Sequence, residues 1–192
     1  MTTLLDLAPA VAEVSRTVAG VRDDQLADPT PCAGTPVAAL LDHLHGLAVG
    51  LRLAAEKQPT GAPVASADAL PGDWRTRIPR ELEELAAAWR DPAAWEGASE
   101  AGGVPLPAAA AGLVTLNEVL VHGWDLAVAT GQPYRPDPVA AQACLDHVRD
   151  FTAAAPDARD TIYGPVVPVP EDAPVFDRLL GLTGRDPGRA LH

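Results

Sequence analysis

One stretch of this chain constrains its fold more than any other, the run from about Leu106 to Thr130. At about 100° of turn per residue, Leu113, Leu116, Leu120, Trp124 and Val128 fall on one side of a helix. Val114 and Val121 extend that side and Val119 lies on the other flank, so the segment is apolar over most of its circumference. Such a helix is normally buried. It nevertheless carries Glu118, His122 and Asp125 within an arc of about 60°, with the small side chains of Ala111, Thr115 and Ala129 in or beside it. A buried carboxylate is costly unless it is paired or bound to a cation. Glu118 and His122, at i and i+4, aim at one spot. An in-helix ion pair sets two carboxylates against one histidine. A divalent metal accounts for both carboxylates, and its remaining ligands must come from another helix.

The rest of the chain is read as helical too, with no alternating strand pattern of useful length. The first helix is predicted from about Leu4 to Val21, with Leu4, Leu7, Val11, Val14 and Val18 on one face. After the connector Ala27 to Cys32, a second helix starts at Pro36 with Thr35 as its N-cap and runs to about Lys57. Gln58 to Gly72 is loose. A third helix covers about Arg75 to Arg90, or begins only after Pro79. Trp95 to Gly103 is a turn or short extended piece. The fourth helix stops at Gly131, ahead of Pro133. A fifth helix is predicted over Pro138 to Ala153, then an extended surface tail, Tyr163 to Pro170, and a short helix over Ala173 to Thr183. The sum is an all-α four-helix bundle with an extra short C-terminal helix, formed by residues 1–192 as a single domain.

Composition excludes several function classes. A net charge of −12, from 26 acids against 14 bases, is wrong for nucleic acid and for anionic membranes. The N-terminus has no basic leader and meets Asp6 early, so no signal peptide is expected. No uncharged apolar run reaches about 18 residues, so no membrane span is expected. Cys32 and Cys144 lie far apart and outside any CxxC, which suits free thiols in a reducing cytoplasm.

The second helix offers the missing ligand. Leu40, Leu44, Leu47 and Leu51 form its core stripe, and His43 and His45 sit on opposite flanks. Residues i and i+2 face apart, so only one can join Glu118 and His122, and periodicity does not choose between them. Arg52 could hold a substrate carboxylate, although a surface arginine over its own apolar stem is the plainer reading. Cys32 has no cationic neighbour in sequence to activate it and reads as packing, while Cys144 and His147 read as structural.

Several strings together resemble a known family: Pro29-Thr30-Pro31-Cys32, then Leu40-Leu41-Asp42-His43-Leu44-His45-Gly46, then Asn117 through Ala127 with Thr130-Gly131 after it. Tyr163 to Pro170 and Asp177 to Leu180 fit as well. The chain is similar to the actinobacterial DinB-like metal-binding proteins related to the N-terminal domain of mycothiol-dependent maleylpyruvate isomerase. That resemblance implies a four-helix bundle holding one divalent metal, usually zinc, on His43, Glu118 and His122. It makes His45 the variable position and Asp125 a hydrogen-bond acceptor behind a ligand rather than a ligand.

Three protein ligands leave an open position, as in catalytic sites. The resemblance implies mycothiol as co-substrate, held as thiolate for transfer to a small molecule or for cis–trans isomerisation. Hydrolysis by a metal-activated water is the other chemistry such a site supports. Asp125 and His45 are the candidates for a general base. The isomerase has a second, C-terminal domain for which 192 residues leave no room, so maleylpyruvate itself is not the expected substrate. The competing class is a non-catalytic metal- or small-ligand-binding bundle. DinB-like bundles often pair, so the resemblance leaves both a homodimer and a monomer open.

Overall fold

The computed structural model describes residues 5–58 and 64–188; Leu4 of the predicted first helical face and residues 59–63 of the predicted loose segment lie outside them. The described residues form seven helices: α1 (Ala8–Ala19), α2 (Val37–Ala55), α3 (Trp74–Ala88), α4 (Ala108–Ala129), α5 (Pro138–Ala154), α6 (Pro156–Ile162) and α7 (Val175–Leu182). One hairpin, β1 (Ala98–Ala101) and β2 (Val104–Pro107), precedes α4. α1 and α2 each pack against both α3 and α4, which closes the four-helix bundle. α5 lies against α4 and α7, and α6 against α5. The all-α expectation holds for a mostly helical chain.

The core is built as the composition requires, from Leu, Val and Ala, with Trp74 and Trp89 as its large aromatic fillers. α1 buries Val11, Val14 and Val18 at helical spacing, and Leu7 packs just before it. α2 has the length and mean apolarity of a membrane-crossing helix, unlike the sequence expectation, but 61% of that window is buried inside the bundle.

Three local expectations are corrected, and for α3 the longer of the two expected spans is the one found. α2 is entered by Pro36 in extended conformation, and Thr35 does not cap it. The first free amides of α2 are satisfied by backbone instead, Val37 donating to the Asp28 carbonyl and Ala38 to that of Leu26, so no side-chain cap is needed. α3 begins before Pro79 and runs through it; a proline there forfeits one helical hydrogen bond, a cost of about 3 kcal/mol met by the burial of Trp74, Ile78, Leu82 and Leu85. The predicted start of the fourth helix, Leu106 and Pro107, belongs to β2. Gly102 and Gly103 both have positive φ, 58° and 81°, and make the tight turn that pairs the strands. α6 was not expected; it is a two-turn helix opened by Pro156.

Gly123 shows why α4 carries a glycine mid-helix, at a cost in propensity. A Cβ there would lie 2.5 Å from Val14 Cγ2 and 2.6 Å from the Tyr134 hydroxyl, which donates to the Leu120 carbonyl at 2.9 Å. Close approach of α1 and the post-α4 segment to α4 therefore depends on that missing atom. Gly123→Ala is expected to destabilise the fold by about 1–3 kcal/mol through overpacking, read as a lowered urea midpoint with unchanged slope.

Candidate metal centre

α4 and α2 cross so that His43 faces Glu118 and His122. Glu118 Oε2 lies 3.5 Å from His43 Nε2 and 3.2 Å from His122 Nε2. The two imidazole rings meet edge to face with centroids 4.7 Å apart. His45, on the opposite flank of α2, turns away and pairs with Glu81 of α3 at 2.6 Å. The structure thus brings His43, and not His45, to Glu118 and His122. Arg52 also stays out of it, paired with Glu56 at 2.7 Å and Glu84 at 3.9 Å.

Behind His122 stands Asp125, whose side chain is fully buried. His122 Nδ1 lies 3.0 Å from Asp125 Oδ2. Arg185 donates to both carboxylate oxygens, Nη2 to Oδ2 at 2.8 Å and Nε to Oδ1 at 3.3 Å. The Cys32 thiol completes the set, donating to Oδ2 at 3.1 Å. Cys32 Sγ also lies 3.2 Å from Arg185 Nη2 and 3.8 Å from His122 Nδ1. The reading of Cys32 as mere packing without a cationic neighbour is thus corrected: the cation comes from 153 residues further along the chain. Cys144, by contrast, is buried in apolar surroundings that push its thiol up to about 12.

Two local structures aim these groups. The Pro29 to Pro36 loop is pinched by a bridge between its ends. Thr30 Oγ1 accepts from the Cys32 amide and donates to the Thr35 carbonyl, which turns Cys32 inward. At the other end of the chain, α7 terminates at Gly184 with φ +81°. The Gly184 amide bonds the Gly181 carbonyl and the Arg185 amide bonds that of Leu180, the paired closing bonds of a Schellman motif. Arg185 is the first residue thrown out of that turn. Its Nη1 also donates to the Thr183 carbonyl at 2.7 Å.

The electrostatics follow from these contacts. Burial alone would raise the Glu118 carboxyl, but hydrogen bonds and charge from His122 and His43 outweigh it and hold it well below the usual range. Burial works against a charged His122, yet Asp125, Cys32 and Glu118 together raise it well above an ordinary histidine. Asp125 is lowered despite its burial, by His122 and then Arg185. Next to Glu118, the Asn117 amide donates to the Tyr163 hydroxyl at 3.2 Å, and burial pushes that phenol up to about 12.

Among the described residues, two groups of donors have the reach of a metal site, Cys32/His122/Asp125 and His43/Glu118/His122, with the ligand atoms of each group within 4.8 Å of one another. They share His122 and differ in which ring nitrogen faces the ion. With Nδ1–H given to Asp125, a neutral His122 turns its Nε2 lone pair at the Glu118 carboxylate, acceptor against acceptor. A proton or a metal ion between them relieves that, so the donor set suits a cation at the His43/Glu118/His122 side.

Residues 7–127 match the family model described as the mycothiol maleylpyruvate isomerase N-terminal domain. This chain belongs to that family. The matched span holds Cys32, His43, Glu118, His122 and Asp125; Tyr163 and Arg185 lie beyond it. Two Mycobacterium tuberculosis proteins described as uncharacterized, Rv0738 of strain ATCC 25618 / H37Rv and MT0763 of strain CDC 1551 / Oshkosh, are each 31% identical over 174 residues. The alignment covers 88% of this chain and 89% of each relative. No solved structure matches it significantly.

Asp125 is buried against Arg185. Asp125→Ala leaves the guanidinium of Arg185 buried without its anion, and removing one partner of a buried pair costs about 3–5 kcal/mol. Equilibrium unfolding of the metal-free protein is expected to show a loss of that size; a loss below about 1 kcal/mol, the scale of an exposed pair, would mean the contact is solvated.

Proposed function

We propose that this chain is a divalent-metal-dependent enzyme acting on a small molecule, with the metal on His43, Glu118 and His122. The observation that carries the reading is the convergence of two histidine Nε2 atoms on one carboxylate oxygen, at 3.5 and 3.2 Å. The Cys32/His122/Asp125 group is the weaker holder, because Arg185 already sits on both Asp125 oxygens and against the Cys32 sulfur. Asp125 already meets four donors, with His122, Cys32 and Arg185 Nη2 on Oδ2 and Arg185 Nε on Oδ1. Its part is to hold His122 by Nδ1 and keep Nε2 turned to the site, as acceptors behind metal-ligating histidines do.

Zinc is the ion that a His-Glu-His set suits most readily. When bound, such an ion supplies positive charge that favours the deprotonated form of a thiol or a water. The family description names mycothiol, and a low-molecular-weight thiol of that kind is the proposed co-substrate. Its thiolate sulfur forms a bond to an electrophilic carbon of the second substrate. Departure of a leaving group with its electron pair completes a transfer. Addition to an activated double bond, rotation about the resulting single bond and expulsion of the same thiolate completes a cis–trans isomerisation without net oxidation. Around that reaction, His43 and His122 keep their rings fixed, the first by its seat on α2 and the second through Asp125. Two free thiols, Cys32 and Cys144, fit a reducing cytoplasmic setting for such chemistry.

Elemental analysis and zinc titration of the wild type, His43→Ala, His122→Ala and His45→Ala test the reading. One equivalent of metal is expected in the wild type and in His45→Ala, with binding lost in the other two while their circular dichroism stays helical. Full metal occupancy in His43→Ala would sink the assignment. Thiol-dependent turnover of electrophiles by the zinc form, absent from His122→Ala, is the expected signature of the enzyme. Metal binding with no turnover of any thiol substrate would leave the non-catalytic binding bundle as the function.

A further inference from the structure

Beyond the ligand set, the structure raises a selectivity problem. His122 has two ring nitrogens, and a competing donor set stands on each side of it. On one side are a histidine and a carboxylate, His43 and Glu118. On the other are a thiol and a carboxylate, Cys32 and Asp125, and the thiolate is a donor that soft and borderline metals such as zinc prefer. An open Cys/His/Asp set would compete strongly for zinc.

It is not open. Arg185 lays its guanidinium across both donors, with one nitrogen 2.8 Å from Asp125 Oδ2 and 3.2 Å from Cys32 Sγ. A second nitrogen reaches Asp125 Oδ1 at 3.3 Å. The group is well sequestered, with only 13% of the Arg185 side chain exposed and none of Asp125. Two of its nitrogens are directed at those donors and the third at the Thr183 carbonyl. Arg185 also lies outside the span that matches the family model, so the matched domain carries the competing donors and the C-terminal segment carries the cation that covers them.

We infer that Arg185 is a positioning residue that acts as a built-in counter-cation, keeping Cys32 and Asp125 out of metal coordination and directing the ion to His43, Glu118 and the Nε2 of His122. The inference rests on the proposed metal site and adds to it a reason for one site rather than two. The fixed fork of a guanidinium can bridge a sulfur and a carboxylate, whereas a compact ammonium addresses one point. The same contacts hold Asp125 in place behind His122, so loss of Arg185 both frees the soft donor set and loosens the ring.

Cobalt(II) is a suitable probe, because thiolate ligation adds an intense near-ultraviolet charge-transfer band that nitrogen and oxygen ligands do not. The full-length wild type, C32S, R185M, R185Q, R185M/C32S and H43A are titrated with cobalt under a non-thiol reductant. Wild type and C32S are expected to bind cobalt with the same affinity and the same spectrum, without the band. R185M is expected to acquire the band, and R185M/C32S to lose it again. R185Q, which keeps amide donors for Asp125 without the charge, should gain the band as well and serves if R185M does not fold. A band in the wild type that C32S abolishes would overturn the inference, as would folded, cobalt-loaded R185M and R185Q without it.

H43A separates this result from the underlying reading. Undiminished cobalt binding by H43A breaks the His43 site. A thiolate band confined to the Arg185 variants would still uphold the part given to Arg185.

Discussion

The buried carboxylate of Asp125 is the contact on which the rest of the site depends. It accepts from His122 on its own helix, from Cys32 in the loop before α2 and twice from Arg185 after α7. Three distant segments of the chain are thereby tied to one pair of oxygens. A charge in that position is tolerable only because its lone pairs are filled and a guanidinium neutralises it. Each of those partners is in turn placed by backbone geometry: Cys32 by the pinched Pro29 to Pro36 loop, Arg185 by the left-handed turn at Gly184.

That arrangement gives the two faces of His122 different tasks. Its Nδ1 side belongs to the buried network, where Arg185 supplies the positive charge. Its Nε2 side faces Glu118, which also meets His43 of α2 and has a side chain 25% exposed. Arg185 balances the charge on the first face, and on the second Glu118 faces the two imidazoles. The proposed metal chemistry rests on this division: the second face offers acceptors, while the first already has the Arg185 donor.

The helices around the site work as a frame. α2 and α4 bring His43 to Glu118 and His122, α3 holds His45 through Glu81, and α7 packs on α5 and ends where Arg185 leaves it. Gly123 permits α1 and Tyr134 to press on α4, the helix that carries Glu118, His122 and Asp125.

Much of this was legible in the residue order. The apolar circumference of α4, the arc of Glu118, His122 and Asp125, and the helical spacing of α1 and α2 are local patterns, and local patterns survive folding because a helix places its side chains by sequence offset alone. The family resemblance rests on the same strings and singled out His43. Less legible were features settled by partners remote in the chain. The entry to α2 needed no side-chain cap because the carbonyls of Leu26 and Asp28 were folded back to its amides. Pro79 did not end α3 because burial outweighed its lost hydrogen bond.

Glycines 102 and 103 did announce a turn, but the hairpin they close takes residues that helical propensity had given to α4. Arg185 left only a faint signal, a Thr-Gly-Arg after a helix that matches the Thr-Gly-Gln after α4. Sequence determined which faces are apolar and which side chains share a helical arc. Only the tertiary structure decided that Cys32, Asp125 and Arg185 meet, because contacts across 60 to 153 residues are set by how the helices pack, and no local periodicity encodes them.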